Sequence, residues 1–106
     1  MLVVDDDPAF RALASRVLVD AGYAVAGEAG TVDEALARVE ELRPNAALVD
    51  VGLPDGDGFA LAEELVARPH PIRVVLISAD AGAGARPAAV RAGACGFLPK
   101  SELSGP

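Results

Sequence analysis

Five residues of this chain have side chains suited to one piece of chemistry: Asp5, Asp6, Asp50, Ser78 and Lys100. Carboxylates gathered at one point repel each other by roughly 4 kcal/mol per pair at about 4 Å and an effective dielectric near 20. A divalent cation removes that penalty. Mg²⁺, or Mn²⁺ in its place, suits the set, because Mg²⁺ prefers hard oxygen ligands and pairs one or two carboxylates with waters and a phosphate. Asp6 and Asp50 would ligate directly, Asp5 through a water, and the carbonyl of Gly52 could add another oxygen. A carboxylate can also attack a phosphoryl group and become an aspartyl phosphate. Such catalysis consists of positioning and of neutralising charge on the equatorial oxygens. The cation would take one oxygen, the Lys100 ammonium a second, and the Ser78 hydroxyl with nearby backbone N–H groups a third.

These residues can meet only if the fold delivers four distant segments to one edge. Short apolar runs alternate with longer amphipathic ones. Strands are expected at Met1–Val4, Tyr23–Glu28, Ala46–Val49, Ile72–Ile77 and Cys95–Leu98. The first helix starts at the Asp7-Pro8 pair, with Asp7 as N-cap and Pro8 in the first helical position, and Gly22 closes it. Thr31-Val32-Asp33-Glu34 is a capping box for a second helix reaching about Leu42, before Pro44. Gly52 to Gly58 reads as a turn-rich loop in which Asp55 and Asp57 shape the turn and cap a third helix from Phe59 to Ala67. A weak fourth helix spans Pro87 to Ala92. Gly82, Gly84 and Pro87 predict a loop from Ala79 to Arg86. This order implies an α/β fold: a five-stranded parallel sheet with right-handed crossovers and helices on both faces. In such sheets ligands bind beyond the carboxyl ends of the strands. Asp5-Asp6, Asp50, Ser78 and Lys100 each fall there.

Composition bounds the alternatives. The 106 residues, 52% hydrophobic, suit one domain over 1–106 with a core of small aliphatic side chains. A net charge of −7 without any basic run argues against direct nucleic-acid binding. The lone Cys95 fits a reducing cytoplasm, and it reads as a small buried strand residue. No stretch approaches the roughly 20 apolar residues of a membrane span, and no signal peptide is visible. His70, between two prolines, reads as a surface loop residue.

Each motif alone has a bland reading. An Asp-Asp-Asp run before a helix can merely complement the helix dipole. Ser78 alone could be a cap, and Lys100 alone a solvated charge. Asp50 is harder to dismiss, because an acid ending an apolar strand needs a partner. Asp55, Asp57, Gly58 and Glu64 fit four positions of a calcium-binding loop, but its first ligand would be Leu53, which excludes it.

The ordered set resembles the receiver domains of two-component response regulators. It comprises Val3-Val4-Asp5-Asp6, Leu48-Val49-Asp50-Val51-Gly52-Leu53-Pro54-Asp55-Gly56-Asp57-Gly58, Val75-Leu76-Ile77-Ser78-Ala79 and Ala92-Gly93-Ala94-Cys95-Gly96-Phe97-Leu98-Pro99-Lys100. The resemblance implies a doubly wound, flavodoxin-like five-stranded parallel sheet of order 2-1-3-4-5, with the fifth helix short or missing. It also implies that Asp50 is the phosphoacceptor, Asp5 and Asp6 the acidic pair, and Ser78 the switch hydroxyl. Phe97 matches the switch aromatic, which turns inward on phosphorylation, and Lys100 the lysine that contacts the phosphoryl group. It also implies a cytoplasmic phosphoprotein fed by a sensor histidine kinase, a phosphotransfer protein or a small phosphodonor. Such a domain catalyses its own phosphorylation and dephosphorylation, turns over no separate substrate, and signals to an output domain or downstream protein. The Phe97-Leu98-Pro99-Lys100-Ser101 segment is similar to receivers that precede helix-turn-helix domains.

Two departures from the family pattern stand out. Asp80 to Pro87 is rich in glycine and alanine, and only six residues follow Lys100. The short tail predicts an uncovered apolar face over the first and fifth strands, met by further chain or by homodimerisation. A phosphatase of the haloacid-dehalogenase type is a rival, with Asp5-Asp6-Asp7 as its D-x-D nucleophile motif. That family has a second acidic motif after its lysine, and only Glu102 follows Lys100 here. An interaction module that has lost phosphorylation is disfavoured by the intact five-residue set.

Overall fold

A computed structural model describes residues 1–79, 82 and 84–104 of the chain. The elements are β1 (Leu2–Val4), α1 (Pro8–Asp20), β2 (Gly27–Ala29), α2 (Val32–Leu42), β3 (Ala46–Asp50), β4 (Gly52–Leu53), β5 (Gly56–Asp57), α3 (Gly58–Val66), β6 (Arg73–Ser78), α4 (Ala85–Arg91), β7 (Gly96–Pro99) and α5 (Lys100–Ser104). Five strands form one sheet in the order β2-β1-β3-β6-β7, every pair parallel. With the small β4–β5 hairpin set aside, this is the 2-1-3-4-5 order of the flavodoxin-like fold.

The alternation of side chains along the strands builds a core on each face of the sheet. Leu2, Val4, Ala47, Val49, Val74 and Leu76 point to one side, under Ala35 and Val39 of α2, Leu61 and Leu65 of α3, and Ala89 of α4. Val3, Leu48 and Ile77 point to the other, under Phe10 and Ala14 of α1. Leu103 of the five-residue α5 packs against this second cluster. The large hydrophobics that are strongly exposed, Val19, Tyr23 and Val90, lie outside it. On the face over the first and fifth strands Val75, Leu98 and Leu103 are partly buried.

Local chemistry sets the boundaries. Asp7 accepts a hydrogen bond from the Ala9 N–H at 3.0 Å with Pro8 opening α1. Gly22, at φ 99°, lets the chain leave that helix. The second strand is shorter than its apolar run. Gly27 already pairs with Leu2, the first residue of β1, so Tyr23 to Ala26 have almost no strand beside them. The fourth helix starts at Ala85, two residues before Pro87, because proline is tolerated in the first turn where its missing N–H has no partner to lose. Ala85 and Arg86 are thus helical, against the expected loop, while Asp80, Ala81 and Ala83 lie outside the described residues. Cys95 is exposed and precedes β7, which corrects its assignment to a buried strand. His70 is exposed, as expected.

The sharpest packing constraint lies beside Asp50. A Cβ on Gly58 would sit 2.2 Å from the Asp50 carbonyl oxygen, whereas one on Gly52 would meet nothing within 4 Å. Gly58→Ala is expected to destabilise the protein by about 1–3 kcal/mol, read as a lower urea midpoint. Gly52→Ala should stay within about 0.5 kcal/mol. Equal midpoints would show that the α3 entry does not need this close approach.

Candidate functional site

Sheet register builds the site. Val4 lies opposite Val49, and Asp50 lies opposite Ile77. Ser78 lies opposite Pro99. Asp5, Asp50, Ser78 and Lys100 therefore reach the same carboxyl edge on four neighbouring strands. Asp5 extends β1 by one step, donating its backbone N–H to the Ala29 carbonyl at 2.9 Å.

At that edge the Lys100 ammonium stands 2.6 Å from Asp5 Oδ2 and 3.2 Å from Asp50 Oδ2. The other oxygens are held by the backbone. Asp5 Oδ1 accepts from the Asp7 N–H at 2.8 Å, and Asp50 Oδ1 from the Gly52 N–H at 3.1 Å. Asp6 is exposed on the rim, yet one carboxylate oxygen from each of Asp5, Asp6 and Asp50 lies within 4.8 Å of the others. Asp5 is fully buried and Asp50 nearly so. Two carboxylates thus share one ammonium, with a third carboxylate beside them on the rim, and negative charge is in excess. That donor set of hard oxygens fits a divalent cation, with Gly52 beside Asp50.

The titration behaviour follows from the same crowding. Burial pushes the Asp50 carboxyl above its ordinary range, and the Asp5 charge adds to this, while the Gly52 N–H and Lys100 oppose it. For Lys100, burial works against the ammonium, but its hydrogen bonds and attraction to Asp5 and Asp50 outweigh that and raise its pKa. Ser78 is buried at the end of β6. Phe97 is carried by the same sheet but on β7, within the core under α4, and already only 7% exposed. It therefore sits inward here.

Three contributors escaped the sequence reading, and a fourth, Asp55, was given the wrong helix. Arg11 donates to the Asp5 carbonyl at 2.6 Å and pairs with Glu28 at 3.1 Å. Phe10 presents its ring 4.6 Å from the Lys100 ammonium. Arg86 stands 5.5 Å from the Phe97 ring centre and donates to the Phe97 carbonyl at 3.3 Å. Asp55 does not cap the third helix. Asp57 does, accepting from the Phe59 N–H at 2.9 Å. Asp55 accepts instead from the Val32 and Asp33 N–H groups of α2 at 2.7 and 3.2 Å, and these bonds hold its carboxyl below the usual range. A capping box signals a helix start locally, but nothing in sequence spacing announces a cap arriving from another loop.

Comparison with known proteins agrees with the geometry. A family model described as the response regulator receiver domain matches residues 1–104. The DNA-binding transcriptional activator DevR/DosR of Mycobacterium tuberculosis is 38% identical over 99 residues, covering 93% of this chain and 46% of that protein. The chain thus spans about half the length of such relatives. The chemotaxis protein CheY of Thermotoga maritima is 30% identical over 100 residues, covering 94% of this chain and 83% of that one. Among solved structures, the signal receiver domain of a Mycobacterium tuberculosis NarL superposes with a TM-score of 0.83 at 37% identity, covering 93% of this chain and 81% of that one.

A carboxyl whose folded-state pKa is raised costs stability where it is ionised, and nothing where both folded and unfolded states are protonated. Asp50→Asn is therefore expected to raise the thermal midpoint of the metal-free protein at neutral pH. The gain should shrink as pH falls towards the ordinary aspartate value of 3.8. A midpoint lowered at neutral pH would mean that attraction to Lys100 outweighs burial.

Proposed function

The chain belongs to the response regulator receiver domain family of two-component signalling, and from that premise we propose that Asp50 is its phosphoacceptor. The single observation that carries this is the placement of Asp50: nearly buried, backed by the Gly52 N–H, and sharing Lys100 with Asp5. In the transfer, an Asp50 carboxylate oxygen forms the new bond to phosphorus. The bond from phosphorus to the donor's nitrogen or oxygen breaks, and its electron pair leaves with the donor. Lys100 is already within reach of that oxygen set, so its ammonium neutralises charge on the transferred group. Ser78, next along the edge, offers a hydroxyl to another phosphoryl oxygen.

Asp5, Asp6, Asp50 and the Gly52 carbonyl would hold Mg²⁺ or Mn²⁺. That cation supplies charge neutralisation for the transferring phosphoryl group. Hydrolysis would use the same site. A water oxygen bonds to phosphorus and gives up its proton, and the bond from phosphorus to the Asp50 oxygen breaks with its electron pair returning to the carboxylate. Inorganic phosphate leaves, so that no separate substrate is turned over.

The donor is a sensor histidine kinase, a phosphotransfer protein or a small phosphodonor. The output is a linked domain or a separate protein, reached through Ser78 and Phe97. Among the described residues no helix is long and apolar enough to cross a membrane, and we place the domain in the cytoplasm. Direct nucleic-acid binding is not part of this domain's role, given its net charge of −7.

Incubation with acetyl phosphate and Mg²⁺ should add one phosphoryl mass, read by intact mass spectrometry. Asp50→Asn should take none, and excess EDTA or Asp6→Asn should slow labelling by about 10²-fold or more. Equal labelling with and without EDTA would remove the cation from the account, and equal labelling of Asp50→Asn would remove the acceptor. Ser78→Ala should still be labelled but lose the NMR response at Phe97. An unchanged response there would uncouple the two.

A further inference from the structure

The β4–β5 hairpin is small, and its position rests on two anchors. At one end the Gly52 N–H meets Asp50 Oδ1 at 3.1 Å, and the Gly58 N–H donates to the Val51 carbonyl at 2.9 Å. At the other, the turn between Leu53 and Gly56 carries Asp55, whose two oxygens accept from the first two N–H groups of α2, 2.7 Å from Val32 and 3.2 Å from Asp33. The fit there is close. A Cβ on Gly56 would stand 3.0 Å from Val32 Cγ2. The third N–H of α2, on Glu34, is taken locally by Thr31 Oγ1 at 3.0 Å. The helix start is thus shared between its own cap and a carboxylate from the loop that follows Asp50.

We propose that Asp55 is a positioning residue for the cation and phosphoryl site. It fixes the hairpin, and through it Gly52 against Asp50. By the same tether, occupancy of the acidic cluster tightens the first turn of α2. Coupling between two sites is reciprocal, so a contact that helps the cation bind must itself be strengthened by the cation. The direction is distinct from the path through Ser78 and Phe97, because α2 packs on β2, and β2 and β7 are the two edge strands of the sheet. The inference rests on the Mg²⁺ reading of Asp5, Asp6 and Asp50.

The test compares Mg²⁺ affinity by titration, and amide exchange at Val32 and Asp33 with and without Mg²⁺, in wild type, Asp55→Ala, Asp55→Asn and Thr31→Ala. Thr31→Ala removes a cap of the same helix without touching the hairpin, at a cost of about 1 kcal/mol of stability. Mg²⁺ should slow exchange at Val32 and Asp33 in wild type and in Thr31→Ala. Asp55→Ala should weaken Mg²⁺ binding at least about fivefold and abolish that slowing, while Thr31→Ala stays within about twofold of wild type. Asp55→Asn keeps one acceptor oxygen and should fall between; it carries the test if the alanine variant does not fold. The inference is overturned if both Asp55 variants bind Mg²⁺ as wild type does, or if Thr31→Ala weakens binding equally. Wild type that binds no Mg²⁺ would overturn the metal reading itself, and this tether with it.

Discussion

Everything distinctive about this structure depends on one ammonium shared by two buried carboxylates. Lys100 reaches Asp5 and Asp50 at 2.6 and 3.2 Å, at the edge of a sheet whose inner strands β1 and β3 are otherwise apolar. Removing charges from water costs several kcal/mol per ion, and their mutual attraction rarely returns more than that. A pair of this kind is therefore a poor device for stability. With two carboxylates on one cation and Asp6 on the rim, it is not even balanced. The excess negative charge makes sense as a place held ready for something positive.

The rest of the fold keeps that arrangement rigid. Parallel pairing of β1, β3, β6 and β7 fixes which residues reach the edge, and two apolar cores clamp the sheet from both faces. Smaller contacts refine it. The Phe10 ring faces the ammonium, and Arg11 holds the Asp5 backbone from α1. Gly58 lets α3 begin directly against Asp50. None of these groups does chemistry, but each removes a direction in which Asp5, Asp50 or Lys100 could drift.

How far the sequence was legible follows from the range of the forces involved. The alternation of strands and helices and the edge location of Asp5, Asp50, Ser78 and Lys100 came from hydrophobic periodicity and the topology rules, because burial of apolar faces is the strongest term. The strand order came from the resemblance to receiver domains. The N-caps Asp7 and Thr31 came from local spacing. What depended on distant partners did not. The second strand is cut short by the length of its neighbour β1, and the β4–β5 hairpin forms where only a loop was expected. Asp55 serves a helix 23 residues away, and Cys95 falls just outside β7 instead of inside it. The fourth helix extends N-terminally past Pro87, since propensity alone undervalues the first turn.

The central claim is that the excess charge around Lys100 is a cation site. The most direct measurement is the thermal midpoint of wild type and Asp6→Asn as a function of Mg²⁺, with ionic strength held constant by Na⁺. A ligand bound only by the folded state raises the midpoint with the logarithm of its concentration once that exceeds the dissociation constant. The account predicts this rise in wild type and its loss in Asp6→Asn. A wild-type midpoint that ignores Mg²⁺ through the millimolar range would contradict it.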